Sequence, residues 1–166
     1  METRTYENFP ARIVLLSNGV SLSIYVLGAY ILGRGGLLFA ICYVLYCLWV
    51  ESNVLRKSCV HCYYYSKVCA FGKGKLCSWL FRKGEPQRFI ERQVSWRDLI
   101  PDMLVLIFPL IGGILLLTKA FSWLLVMLLV LSFGGNAIVR GSFACKYCKQ
   151  RELGCPAQQL FSGKKT

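Results

Sequence analysis

Nine cysteines in a chain of 166 residues are a large supply of soft ligands, and six of them fall into a pattern. Cys59-Val-His-Cys62 is followed by Cys69, and Cys145-Lys-Tyr-Cys148 is followed by Cys155, so the spacing C-x2-C-x6-C occurs twice. Two thiols three positions apart address one centre, because a tight turn swings both sulfurs to the same side. Three ligand sets follow from this spacing. Cys59, Cys62, Cys145 and Cys148 make one tetrahedral zinc site if the two turns meet. Alternatively each copy keeps its own three thiolates, with Cys77 as the fourth ligand of the first copy and one from elsewhere for the second. In the third version six or more thiolates jointly hold a binuclear metal centre or an iron–sulfur cluster. Cys155-Pro156 matches the ending of some cluster-binding runs, but the dense C-x2-C-x2-C-x3-C pattern is absent. Zinc therefore ranks first and an iron–sulfur cluster second.

Lys57, Lys67, Lys146, Lys149 and Arg151 surround the motifs. Cations there offset the negative charge of a thiolate site and lower the pKa of an unmetallated thiol. His61, the single histidine, lies inside a C-x2-C turn, where a residue points away from the ion that its neighbours hold. Cys42 and Cys47 would sit about 140° apart round a helix, too far to share an ion, and read as small apolar residues. Gly72-Lys73-Gly74-Lys75 lacks the G-x4-G-K-[ST] frame of a phosphate loop. With one histidine and no nucleophile motif, acid–base or nucleophilic catalysis is not expected.

The elements that must carry these thiols are apolar. The chain is 55% hydrophobic with a formal net charge of +12, and the two properties are segregated. Ile13–Leu32, Leu37–Val50, Leu99–Thr118 and Phe121–Val139 are almost free of charge. A membrane-crossing helix needs about 20 apolar residues. Three stretches satisfy this directly, and the second does so if Glu51 and Asn53 sit at headgroup level and Val54 and Leu55 extend it. The first stretch has no cleavage site and leads straight into the next, so it is expected to remain as a span and not as a removed signal.

The fold expected is an all-α membrane protein of four transmembrane helices, arranged as two hairpins with the cysteine-rich metal site at one face. Gly33–Gly36 and Lys119–Ala120 are the hairpin turns. Only Arg34 and Lys119 of the twenty basic residues lie in them. By the positive-inside rule both termini and the cysteine motifs are then cytoplasmic. Thiols stay reduced there, which favours a metal over disulfides.

This divides the chain into a first transmembrane hairpin (1–57), a cysteine-rich segment (58–85), an interfacial amphipathic helix (86–98), a second hairpin (99–139) and a cysteine-rich tail (140–166). The order is consistent with tandem duplication, the halves sharing one orientation. Pro86 suits a helix start, Ile90 and Val94 share a face, and Pro101-Asp102 mark entry into the membrane. Pro109, Gly112 and Gly113 are expected to kink or closely pack their helix. Asn18 and Asn136 fall near the cytoplasmic surface, suited to a polar pocket or to interhelical hydrogen bonds.

Small mercury-uptake membrane proteins are similar in their few helices and cytoplasmic cysteines. Their intramembrane cysteine pair has no counterpart here, so their function is not carried over. The expected function is that of a metal-binding accessory or scaffolding subunit, with the lipid bilayer and another membrane protein or a second copy as partners. Electron transfer through an iron–sulfur centre and soft-metal-ion transport are the alternatives, and nucleic acid is not an expected partner.

Overall fold

The structure, a computed structural model of the full chain, describes residues 5–91, 96–116 and 123–155. Among these residues there is no strand, only an isolated parallel bridge between Tyr6 and Cys148. The first two apolar stretches form α1 (Ala11–Gly33) and α2 (Leu37–Lys57), joined by a turn in which Gly36 has φ 144°. Two short helices follow, α3 (Lys73–Leu80) and α4 (Gln87–Ile90), and then the long α5 (Trp96–Leu116). The last described stretch opens as α6 (Trp123–Leu129) and stays helical to Cys145, passing through π-helical turns at Val130–Gly135 and Val139–Cys145 around Asn136–Ile138.

Three segments are long and apolar enough to cross a membrane: Ala11–Gly33, Leu37–His61 and Arg97–Leu115. Leu15, Leu22 and Val26 of α1, Leu38 and Leu45 of α2, and Ile111 of α5 all turn outwards. Helices packed this way need an apolar solvent, and their backbone groups are satisfied internally, as lipid requires. The Lys119–Ala120 turn, Arg92, Val94 and the tail from Pro156 onwards lie outside the described residues.

Helix α1 is the centre of the bundle, touching α2, α5 and α6. Ile24 and Ile31 of α1 are buried with Leu128 of α6, while Tyr43, Cys47 and Val50 of α2 close on Val105 of α5. Gly112 and Gly113 admit Leu32, Ile31 and Leu125 at distances a side chain would not allow. Pro109, buried inside α5, cannot donate to the carbonyl four residues earlier, that of Val105. Tyr43 supplies the missing donor: its hydroxyl gives a buried hydrogen bond of 2.9 Å to the Val105 carbonyl. Gly28 makes room for that ring, since a Cβ there would stand 2.4 Å from the Tyr43 oxygen.

Helix α2 runs past Glu51 to Lys57 because the Glu51 carboxylate is partnered. It accepts a hydrogen bond of 2.6 Å from the Tyr25 hydroxyl of α1 and pairs with Lys73 at the start of α3. At the other side of the bundle end, Lys57 faces Asp98 of α5 at 4.0 Å. Pro86 precedes a single helical turn, Gln87–Ile90, and Trp96–Asp98 already belong to α5, so Pro101 sits within that helix. The start of α1, the end of α2 and the last residues of the final helix meet at one end, where the cysteine segments lie.

Candidate functional site

Each C-x2-C motif folds as a knuckle. In the first copy a 3-10 turn covers Cys59–His61, and the Cys62 amide donates to the Cys59 carbonyl at 3.3 Å. In the second, the Cys148 amide donates to the Cys145 carbonyl at 3.4 Å. Cys62 and Cys148 then both extend, with ψ 150° and 121°. A further turn follows in each: Tyr65 N–H to the Cys62 carbonyl at 3.0 Å, and Arg151 N–H to the Cys148 carbonyl at 3.1 Å.

The two knuckles grip each other through the residues two positions beyond Cys62 and Cys148. Tyr64 and Gln150 are 2% and 4% exposed. The Tyr64 hydroxyl accepts a hydrogen bond of 3.0 Å from the Lys149 amide and donates to the Tyr6 carbonyl. The Gln150 Oε1 accepts one of 2.7 Å from the Tyr63 amide, while its Nε2 donates to the Gly154 carbonyl at 3.4 Å. Each lobe thus offers a side-chain oxygen to the backbone of the other, at matching positions. Burial makes this costly to break, since a stranded amide inside protein has no water to turn to.

The N-terminal segment completes the cap. Tyr6 N–H donates to the Tyr147 carbonyl at 3.0 Å, and Phe9 N–H to the Val68 carbonyl at 2.9 Å. Asn8 Oδ1 takes the Val68 amide at 3.0 Å. Phe9, Tyr64, Ala70 and Ala144 form the buried centre, with Cys62, Cys69 and Cys148 packed against it. Asn18 of α1 donates to the Phe71 carbonyl at 3.2 Å, tying the cap to the bundle.

The glycine–lysine stretch is architectural. Gly72 adopts a left-handed φ of 66° and Lys73 pairs with Glu51. Gly74 lets the chain pass the Tyr64 and Lys67 carbonyls, which a Cβ would meet at 2.0 and 2.4 Å. His61 is also structural here: its Nδ1 lies 2.9 Å from the Glu85 carbonyl and so carries the proton, and its ring rests on Gly84.

None of the nine cysteines forms a disulfide. Cys62 lies within electrostatic reach of Cys148, Cys69 and Cys155, which joins the two motif copies. Cys59 is similarly close to Cys69, Cys62 and Cys77, and Cys148 to Cys155 and Cys145. Cys77 is fully buried on α3, its sulfur 3.8 Å from the Leu55 carbonyl. Cys42 is exposed on α2 and Cys47 buried in the bundle, so they occupy different faces. Burial pushes the Cys62 thiol up to about 12, and neighbouring sulfurs add to the effect. Burial likewise raises Cys148 to about 11.

No lysine opposes this at Cys62 or Cys148. Lys67 lies over the Tyr63 ring at 4.1 Å, and Lys149 pairs with Glu7 at 3.1 Å. Unloaded, the Cys62 and Cys148 thiols stay protonated at neutral pH. Their chemistry, all sulfur and drawn from both lobes, suits zinc or an iron–sulfur cluster. Among the described residues no three histidine, cysteine or acidic side chains converge into a finished metal cage.

The Tyr63–Tyr65 run reads in sequence as an interfacial aromatic belt, and nothing local marks Gln150 or Tyr6–Phe9, although Tyr64 and Gln150 share one position after the second cysteine of their motifs. No family model, no curated protein and no solved structure matches this chain.

Proposed function

We propose that this is a membrane protein of four spans, built as two tandem copies of a helical hairpin plus a cysteine lobe, whose lobes together bind metal on the cytoplasmic side. Zinc is the preferred ion, with Cys59, Cys62, Cys69, Cys77, Cys145, Cys148 and Cys155 as the pool of ligands. Zinc would act as a clamp: it would hold the two hairpins in one register, and its binding free energy would add to that of folding. A protein of this kind, without catalytic groups, serves as an accessory or scaffolding subunit that presents its bundle to another membrane protein or a second copy.

The observation that supports this reading is the reciprocal grip of the lobes, with Cys62 within electrostatic reach of Cys69, Cys148 and Cys155. Metal binding would then draw thiolates from both copies of the motif to one ion. Metal loading would also displace protons, since Cys62 and Cys148 hold theirs tightly in the buried cap. Electron transfer through an iron–sulfur cluster is the second reading, favoured by the same all-sulfur environment. Soft-metal transport fits less well, because Cys42 and Cys47 face different ways along α2.

The test is chelation of the purified protein in detergent. Metal loss is expected to lower the thermal midpoint and to prevent assembly with the partner or second copy. An unchanged midpoint and normal assembly after complete metal removal contradict the clamp.

A further inference from the structure

Helix α3 turns its apolar side outwards. Gly74 and Cys77 face the protein, whereas Leu76, Trp79 and Leu80 are 50%, 91% and 58% exposed. Residues three and four apart share one helix face, so these three form a single apolar stripe. An apolar stripe left in water is unfavourable, and something must cover it.

The depth of α3 identifies the cover. Lys73 pairs with Glu51, the Cys77 sulfur stands 3.8 Å from the Leu55 carbonyl, and Arg56 lies 5.5 Å from the centre of the Phe81 ring. Successive turns of α3 therefore meet successive positions along the last turns of α2, and the two helices climb side by side. Glu51 lies six residues before the end of α2, about 9 Å along its axis. A helix at that depth beside a membrane span lies in the interfacial layer and not in open cytoplasm. Trp favours that layer, where its ring is half in hydrocarbon and half among headgroups. Lys75 within α3, and Arg82 and Lys83 just after it, add positive charge suited to anionic headgroups.

We propose that α3 is an interfacial anchor that docks on the bilayer through Leu76, Trp79 and Leu80 and prefers anionic lipid. It would fix the first cysteine lobe at the membrane surface. This rests on the membrane reading of the bundle but not on metal binding.

The test uses the full chain reconstituted in phosphatidylcholine vesicles, with and without phosphatidylglycerol, whose acyl chains carry bromine near the headgroup. The emission difference between the wild type and Trp79→Phe isolates Trp79. Loss of most of that difference signal to brominated lipid, greater with phosphatidylglycerol, is the expected result. Quenching by aqueous iodide with no response to bromine would overturn the anchor, and equal quenching in both vesicle types would overturn the anionic preference. Normal quenching in metal-stripped protein separates this result from a failure of the clamp.

Discussion

Gln150→Leu tests the grip between the lobes. The side chain is almost fully buried and takes part in three contacts: the Tyr63 amide at 2.7 Å, the Cys62 thiol at 3.8 Å and the Gly154 carbonyl at 3.4 Å. Leucine keeps the approximate volume and loses all of them. Stranding the Tyr63 amide costs about 1–3 kcal/mol, and the long Gly154 bond adds about 0.5 kcal/mol. A loss of about 2–3 kcal/mol is expected. Tyr64→Phe strands the Lys149 amide and removes the donor to Tyr6, so a loss of about 1–3 kcal/mol is expected there. Both substitutions break the same contact between lobes, so the double variant should lose less than the sum, with a coupling of about 0.5–2 kcal/mol. Denaturant unfolding in detergent, followed by tyrosine and tryptophan emission, reads all four forms. Losses below about 0.5 kcal/mol for both single variants, or strict additivity, would refute the reciprocal grip.

Tyr43→Phe leaves the Val105 carbonyl without a donor, and should cost about 1 kcal/mol in detergent unfolding. In a Pro109→Ala background the restored amide serves that carbonyl, so the same change should cost less; an equal cost in both backgrounds refutes the proline argument. Gly74→Ala sets a methyl against the Tyr64 and Lys67 carbonyls, and should lower the thermal midpoint and loosen the cap while sparing the helix content seen by circular dichroism. An unaltered midpoint would show that α3 approaches less closely. The metal-free protein should lose stability with rising pH. Cys62 and Cys148 ionise in the unfolded chain near the ordinary thiol value of 9.0 but hold their protons to about 12 and about 11 when folded. The stabilisation is fully present below pH 9 and is lost between there and those values. A midpoint that stays flat from pH 8 to 11 contradicts this burial.

The apolar runs foretell α1 and α5 well, because a span in lipid must be both long and uncharged. The second run has only fourteen residues before Glu51, and the chain itself does not tell whether a carboxylate ends the helix or is absorbed. It is absorbed, by Tyr25 and Lys73, partners that lie 26 and 22 positions away in sequence. The knuckles are legible in the C-x2-C spacing, since a local turn depends on local residues. How the lobes dock is not, because it depends on the register between segments more than eighty residues apart. The Tyr64-to-Lys149 and Gln150-to-Tyr63 bonds span 85 and 87 positions. Lysines beside the motifs suggest thiols of lowered pKa, but Lys67 and Lys149 turn to Tyr63 and Glu7, and for Cys62 and Cys148 burial prevails. Asn18 likewise finds its partner in the cap, at the Phe71 carbonyl.

Metal content, measured together with the visible spectrum on protein purified in detergent without air, tests the central claim most directly. The account predicts one or two zinc ions per chain (one if the lobes share a site) and no colour, with zinc lost in both Cys62→Ser and Cys148→Ser. Iron with acid-labile sulfide would replace the clamp by electron transfer, and a stable, folded chain carrying no metal at all would contradict the account.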